Sequence, residues 1–391
     1  MGSAMRESAA VGTKPLSYSP GLEGVIAGES ALCLVDEGEA GLRYRGYGIA
    51  DLAEYGTFEE VAILLLFGRL PTRQEIKQFR VSITEQSFLP RAVESFLESA
   101  TRGSHMMDVL RTGVSILGMT DSEAADNSQD ANLRKSVRLL AQTPLLISAA
   151  DRFANGTPLI PRHPDLSFAE NLLYLLTGRK EDDRAKAMAR VLDVSLTLYA
   201  EHEFNASTFS ARVTASTMTD LHSAITAAIG TLKGPLHGGA NEAVAQMFVE
   251  IGTAEKAIPW VREALRNKRR IMGFGHRVLK NGDARSGIIQ RHAAALGRIC
   301  GDHRWYEIAT AVEQAMREEK GLYPNLDFYT AAAYLLMDLP RALYTPVFVC
   351  SRITGWCAHV IEQQSHNRLM RPRALYTGPS QKEYVPLDRR S

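Results

Sequence analysis

The rhythm of apolar and polar positions changes once along the chain. From Gly21 to Gly48 it reads as strand and turn: ALCLV lies between Ser30 and Asp36, and the glycine turns of GLRYRGYG follow. After Gly48 apolar residues recur at three and four positions and continue to do so, which predicts helix. IADLAEY comes first. TFEEVAILLLFG is next, with Thr57 as N-cap and Glu60 three residues later, the two halves of a capping box. Leu70-Pro71-Thr72 interrupts, and Thr72 is placed to cap RQEIKQFRVSI. The same pattern predicts helices from Pro90 to about Arg102 and from Met106 to about Met119. It predicts two more from Ala131 to Asn155, kinked at Pro144, and from Asp165 to Thr177, ended by Gly178.

In the second half, residues 181–200 form a long amphipathic helix that runs into EHEFNASTFSARVTAS. SAITAAIGTLKG is rich in small residues, which suits a close helix–helix contact. Helices are expected at 241–251, 255–270, 284–300 and 304–320. Pro324-Asn325-Leu326-Asp327 begins another, with Asp327 in its first turn, and LPRALYTPVFVCSRITGWCAHVIEQ is mostly helical. The chain ends extended and proline-rich. The expected fold class is therefore mainly α, with a short strand segment near the N-terminus. Helices end at His237 and restart around Asp327. That predicts a smaller helical domain, 237–332, inserted in a larger one of 22–236 and 333–391, after a disordered extension over 1–21.

Composition changes this picture little. A net charge of +1 marks no surface for nucleic acid or anionic membrane. No apolar run approaches the roughly 20 residues that span a bilayer, and MGSAMRESAAVGTKP lacks the apolar core of a signal peptide. The cysteines, Cys33, Cys300, Cys350 and Cys357, are scattered without a CxxC, which fits reduced thiols and a cytoplasmic location.

Candidate chemistry gathers between Gly230 and Arg285, where His237 and His276 sit in glycine-rich loops. His202, Asp327, Arg285, Arg352 and Arg371 complete a set. Arginines are always charged and grip carboxylates with paired hydrogen bonds, so three together suit a dicarboxylate or tricarboxylate. A carboxylate base with histidines donating to an oxygen that gains charge suits proton removal beside a carbonyl, hence enolisation and carbon–carbon bond formation. A metal site is the competing use of the same residues, but His202-Glu203-Phe204-Asn205 lacks the second histidine of HExxH. No GxSxG surrounds a serine, and GTLKGPLHGG lacks a Walker A ending. His222, His292, His303, His359 and His366 read as structural or surface residues.

The runs LYAEHEFNASTF, KGPLHGGANE, IMGFGHRVLKNGDAR, YPNLDFYTA, SRITGWCAHVIEQ and NRLMRPRALYTGP resemble those of the citrate synthase family. The resemblance extends from about Leu22 to the C-terminus. ALCLV, LRYRGYGIADLA, TFEEVAILLLFGRLPT and HMMDVLRTGVSILG look most like 2-methylcitrate synthases, whereas the central loops look equally like short bacterial citrate synthases. The resemblance implies the two-domain fold of that family and a Claisen-type condensation of propionyl-CoA or acetyl-CoA with oxaloacetate. Asp327 would be the base, His237 would stabilise the enol, and His276 would polarise the ketone. His202, Arg285, Arg352 and Arg371 would hold carboxylates, with Arg371 donated across a homodimer. Asn205 is either a further substrate contact or an N-cap. Gly273, Phe274 and Gly275 would approach CoA, Lys280 would meet one of its phosphates, and Lys268, Arg269 and Arg270 would add charge. No permanently bound cofactor and no metal is implied. The family's usual Asp-Pro-Arg stands here as Asp283-Ala284-Arg285. The alternatives are a citrate synthase strictly for acetyl-CoA and a catalytically silent homologue that binds CoA or carboxylates.

Overall fold

Helices start where a side chain is available to cap them. Thr57, Thr72 and Ser167 accept the N–H of Glu60, Glu75 and Glu170, and each glutamate returns to the cap's own N–H. The first capping box is the one expected; Thr72 caps its helix as expected, and Glu75 completes a second box there. The third explains why the helix expected from Asp165 begins at Phe168 instead: Ser167 has the hydroxyl that closes the box.

The computed structural model describes residues 19–36, 41–100, 103–180, 182–275 and 282–390. His276 and Lys280 lie outside the described residues, as do residues 1–18 of the expected extension. Among the described residues there are sixteen α-helices and one three-stranded antiparallel sheet, so the fold is mainly α. No helix among them is long and apolar enough to cross a membrane. The four cysteines are free thiols.

The sheet pairs Cys33–Val35 with Leu42–Tyr44, and Leu42–Tyr44 with Tyr47–Gly48. Its central strand buries Leu42 and Tyr44 and exposes Arg43, the alternation of a half-buried strand. Pro144 does not divide its helix, which runs from Gln129 to Asn155. The helix expected over 255–270 stops at Arg266, because Lys268 turns into the left-handed region at φ 54°.

The helix Tyr344–Ser365 is buried on nearly every face, its polar residues Arg352 and His359 included. It packs against Gln129–Asn155, Ala206–Ala215, Leu221–Leu232, Phe58–Phe67 and Asp183–Tyr199. Residues 30–369 form one compact unit; 19–29 and 370–391 form another, with 3₁₀ turns at Pro20–Leu22 and Leu387–Arg389. Within the first unit, Leu326–Leu336 packs on both Ala240–Ile251 and Ala284–Cys300, and Ala254–Arg266 packs on Arg304–Lys320. Ala284–Cys300 also packs on Asp183–Tyr199, so the expected inserted segment is joined to the rest by a broad helix contact.

Candidate active site

Asp327 occupies the first turn of Leu326–Leu336, where Asn325 caps the helix by accepting the Asp327 N–H at 3.1 Å. Its Oδ1 accepts a hydrogen bond from Tyr199 Oη at 2.6 Å. Tyr199 is the last residue of Asp183–Tyr199, and its oxygen also accepts from Asn241 Nδ2 at 3.3 Å. Burial pushes the Asp327 carboxyl up to about 6; the Tyr199 bond and the charges of Arg285 and Arg352 pull the other way. A carboxyl at that pKa is ionised at neutral pH and remains a far better base than an exposed aspartate.

His237 projects from the turn between Leu221–Leu232 and Ala240–Ile251. The turn is closed by Gly238 N–H donating to Leu232 O at 2.9 Å and His237 N–H donating to Gly234 O at 2.9 Å. The backbone N–H of Ser207 donates to His237 Nε2 at 3.3 Å, and the Ser207 hydroxyl lies 2.8 Å from the same atom. A backbone N–H can only donate, so Nε2 carries the lone pair and the ring proton belongs to Nδ1. Burial, helped by the charge of Arg352, lowers the ring's pKa to about 4. His237 is thus a neutral imidazole with one fixed donor.

Two buried arginines stand beside these groups. Arg352, in the middle of Tyr344–Ser365, donates from Nε to Tyr199 O at 2.6 Å, and its guanidinium lies 4.7 Å from the Phe348 ring centre. Its NH1 is buried with no hydrogen-bond partner among the described residues. An arginine with an unmet buried donor is set to receive an anion. Arg285 forks onto Asp283, with Nε 2.9 Å from Oδ1 and NH2 2.8 Å from Oδ2. Asp283 Oδ2 also accepts the Leu326 N–H at 3.2 Å, which ties Arg285 to the helix of Asp327. Asp283 is also the N-cap of Ala284–Cys300, accepting the Arg285 N–H at 3.1 Å.

His202 is buried in the loop that follows Tyr199. Tyr44 Oη lies 2.9 Å from Glu201 O and 3.2 Å from Leu198 O, so the sheet braces this loop. Glu203 is held at φ 54°. Asn205 caps Ala206–Ala215 by accepting the Thr208 N–H at 3.1 Å, takes the Ser207 hydroxyl at 2.8 Å, and turns its amide N–H groups toward the His202 and Glu203 carbonyls. Both ends of its amide are engaged, and Asn205 is the N-cap of Ala206–Ala215.

The structure thus sets Asp327 within electrostatic range of Arg285 and Arg352, and His237 within range of Arg352. Arg371 is exposed on an extended segment of the other compact unit. Arg269 is paired with Glu250 through two 2.7 Å bonds and stacks on Trp260, so its charge is already matched.

Sequence reasoning missed Tyr199, Ser207 and a buried chain behind them. His359 Nδ1 accepts from Arg212 NH1 at 2.9 Å, so its other nitrogen donates, 2.8 Å from Glu201 Oε1. Arg212 continues to Glu362 at 2.6 Å, and Glu362 accepts the Ala31 N–H at 2.8 Å. Gly355 makes room for this chain: a methyl there would overlap the Glu201 carboxylate and the Ala200 carbonyl. The signal available was spacing. His359 follows Arg352 by seven residues, which puts both on one face of a helix.

A raised carboxyl, a neutral imidazole donor and buried guanidinium groups suit removal of a proton beside a carbonyl in an anionic substrate. Among the described residues no group of three or more histidine, cysteine, aspartate or glutamate side chains is arranged to hold a metal ion.

The family model for the citrate synthase C-terminal domain matches residues 21–373. The chain is 42% identical over 377 residues to citrate synthase 2 of Bacillus subtilis, covering 96% of this chain and all of that one. It is 44% identical over 371 residues to the 2-methylcitrate synthase of Shewanella oneidensis, covering 95% and 97%. Among solved structures, the ternary complex of citrate synthase from Thermoplasma acidophilum with carboxymethyl coenzyme A and oxaloacetate is similar at a TM-score of 0.88. It is 33% identical and covers 96% of this chain and 100% of that one.

Proposed function

This chain belongs to the citrate synthase family of acyltransferases, and we propose that it condenses propionyl-CoA with oxaloacetate and water to give 2-methylcitrate and CoA. Acetyl-CoA is an overlapping substrate that gives citrate. The observation that carries the reading is the Asp327 carboxyl, raised to about 6 by burial and oriented by Tyr199, in electrostatic range of Arg352, which also depresses the neutral His237.

With Oδ1 held by Tyr199, the other carboxylate oxygen of Asp327 takes the α-proton of the acyl thioester. Nδ1–H of His237 donates to the thioester oxygen as the enol forms. A neutral imidazole holds such an oxygen without first surrendering its own proton, as fits a pKa of about 4. The enol carbon then bonds to the ketone carbon of oxaloacetate, and His276 delivers a proton to the ketone oxygen. Water cleaves the resulting thioester and CoA leaves as the thiol. Arg352, through its unmet NH1, Arg285 and His202 hold the carboxylates, and Asn205 braces the loop behind them. Gly273, Phe274 and Gly275 meet CoA, and Lys280 a CoA phosphate.

The reading includes a cytoplasmic homodimer in which Arg371 serves the neighbouring subunit's site, and a smaller domain of 237–332 that carries His237, the CoA loop and Asp327. The preference for propionyl-CoA rests on the resemblance of the N-terminal third to 2-methylcitrate synthases; overall identity is alike to a 2-methylcitrate synthase, 44%, and to a citrate synthase, 42%. It places the enzyme in propionate disposal. One methylene in a pocket separates the two acyl groups by roughly 10–200-fold at most. Thiol release with oxaloacetate present, at several concentrations of each acyl-CoA, tests it. A higher kcat/KM with propionyl-CoA is expected. A higher kcat/KM with acetyl-CoA would make the protein a citrate synthase of the tricarboxylic acid cycle.

A further inference from the structure

Five consecutive residues, Tyr323 to Asp327, connect the glycine loop to the base. Tyr323 O accepts the Gly275 N–H at 3.1 Å, and Asn325 N–H donates to Gly273 O at 2.9 Å. Between them Phe274 and Pro324 form an antiparallel bridge. Leu326 N–H donates to Asp283, and Asp327 follows. The loop is seated as well as tied. Gly273 sits at φ 85°, and a Cβ there would come within 2.7 Å of Val244 and 2.8 Å of Phe328. The Phe274 ring packs 4.7 Å from the ring of Phe328, the residue after the base.

Within this ladder one side chain faces both ways. Asn325 Oδ1 accepts the Asp327 N–H at 3.1 Å, and Asn325 Nδ2 donates to Gly275 O at 3.2 Å. The backbone bonds tie the loop only to the segment before the helix. The amide carries the tie across to the residue that holds the carboxyl. Serine or aspartate would cap the helix equally well; neither offers an acceptor and an N–H donor on one short planar group.

We infer that Asn325 is a positioning residue that transmits engagement of the Gly273–Gly275 loop to the Asp327 carboxylate. The nucleotide end of an acyl-CoA, held at the loop, thereby sets the base for proton removal at the acyl end. This is how binding energy of a non-reacting part of a substrate comes to act at the reacting atoms. The inference rests on the proposed reading of that loop as the CoA contact.

The test compares propionyl-CoA with propionyl-pantetheine, which carries the same thioester without the nucleotide, in the wild type and in Asn325→Ser. Serine keeps a capping hydroxyl but is too short to reach Gly275. In the wild type kcat is higher with propionyl-CoA. In the variant kcat with propionyl-CoA falls about tenfold more than with propionyl-pantetheine, the size expected for one hydrogen bond realised at the transition state. Loss of both by the same factor would make Asn325 a helix cap only and overturn the inference, as would loss of neither. Equal kcat for the two thioesters in the wild type would overturn it as well. Failure of the wild type to release thiol from either would instead sink the condensation reading. Should Asn325→Ser fold poorly, Asn325→Asp, a strong cap without the donor, is expected to show the same selective loss.

Discussion

The hydroxyl of Tyr199 donates a 2.6 Å hydrogen bond to Asp327 Oδ1, and the backbone carbonyl of the same tyrosine accepts Arg352 Nε at 2.6 Å. One residue at a helix end therefore orients both the carboxyl and the guanidinium that the proposed reaction uses. The bond favours the charged carboxylate and opposes burial, which raises the Asp327 pKa to about 6. A carboxylate base works ionised, so with Asp327 as the proposed base kcat/KM is expected to fall as pH drops through about 6. Tyr199→Phe removes a contribution that lowers the pKa, so the acid limb moves to higher pH. Activity at neutral pH drops about tenfold, as loss of a hydrogen bond to a charged group implies. A pH–rate profile of both proteins checks this.

His237 is neutral above a pKa of about 4 and adds no limb to that profile between pH 5 and 8. His237→Ala removes the proposed enol donor. It is expected to lower kcat by roughly 10²–10³-fold, as for other oxyanion donors, with little change in the Kd of oxaloacetate by calorimetry.

Arg352 offers a fork, one arm of which is used by Tyr199 while NH1 waits for an anion. Lysine keeps the charge and loses the fork. Arg352→Lys is therefore expected to weaken oxaloacetate binding by about tenfold or more, read as a raised KM for oxaloacetate with a smaller change in the KM of the acyl-CoA.

His359 donates to the fully buried carboxylate of Glu201. Removing its donor leaves a buried acceptor without a hydrogen bond. His359→Ala is expected to destabilise the fold by about 2 kcal/mol, seen as a lower denaturation midpoint. His359→Gln, which keeps an N–H donor, recovers part of the loss.

These contacts show what the sequence could and could not convey. Local rules gave the helices: Thr57 with Glu60 and Thr72 with Glu75 are capping boxes in the chain and in space. Asp327 falls in a first turn as expected, because Asn325 is within capping reach. Ser167 with Glu170 obeys the same rule and was legible in principle. Tyr199 was not. Its partner is 128 residues away, and nothing local distinguishes a tyrosine at a helix end that packs from one that bonds a carboxylate. His359 resembles any histidine on an apolar helix until Glu201 and Arg212 are brought to it from two other segments. Arg269 shows the reverse case, since its pairing with Glu250 across 19 residues removes a charge the sequence leaves free.

The most direct measurement is thiol release from propionyl-CoA in the presence of oxaloacetate by the wild type and by Asp327→Asn. Asparagine keeps the size of the side chain and a place for the Tyr199 bond, but cannot take a proton. A general base contributes roughly 10²–10⁴-fold. Turnover by the wild type and a loss of that size in the variant are expected, with oxaloacetate still bound. A variant that turns over within a few-fold of the wild type would contradict it, since proton removal would then belong to another group.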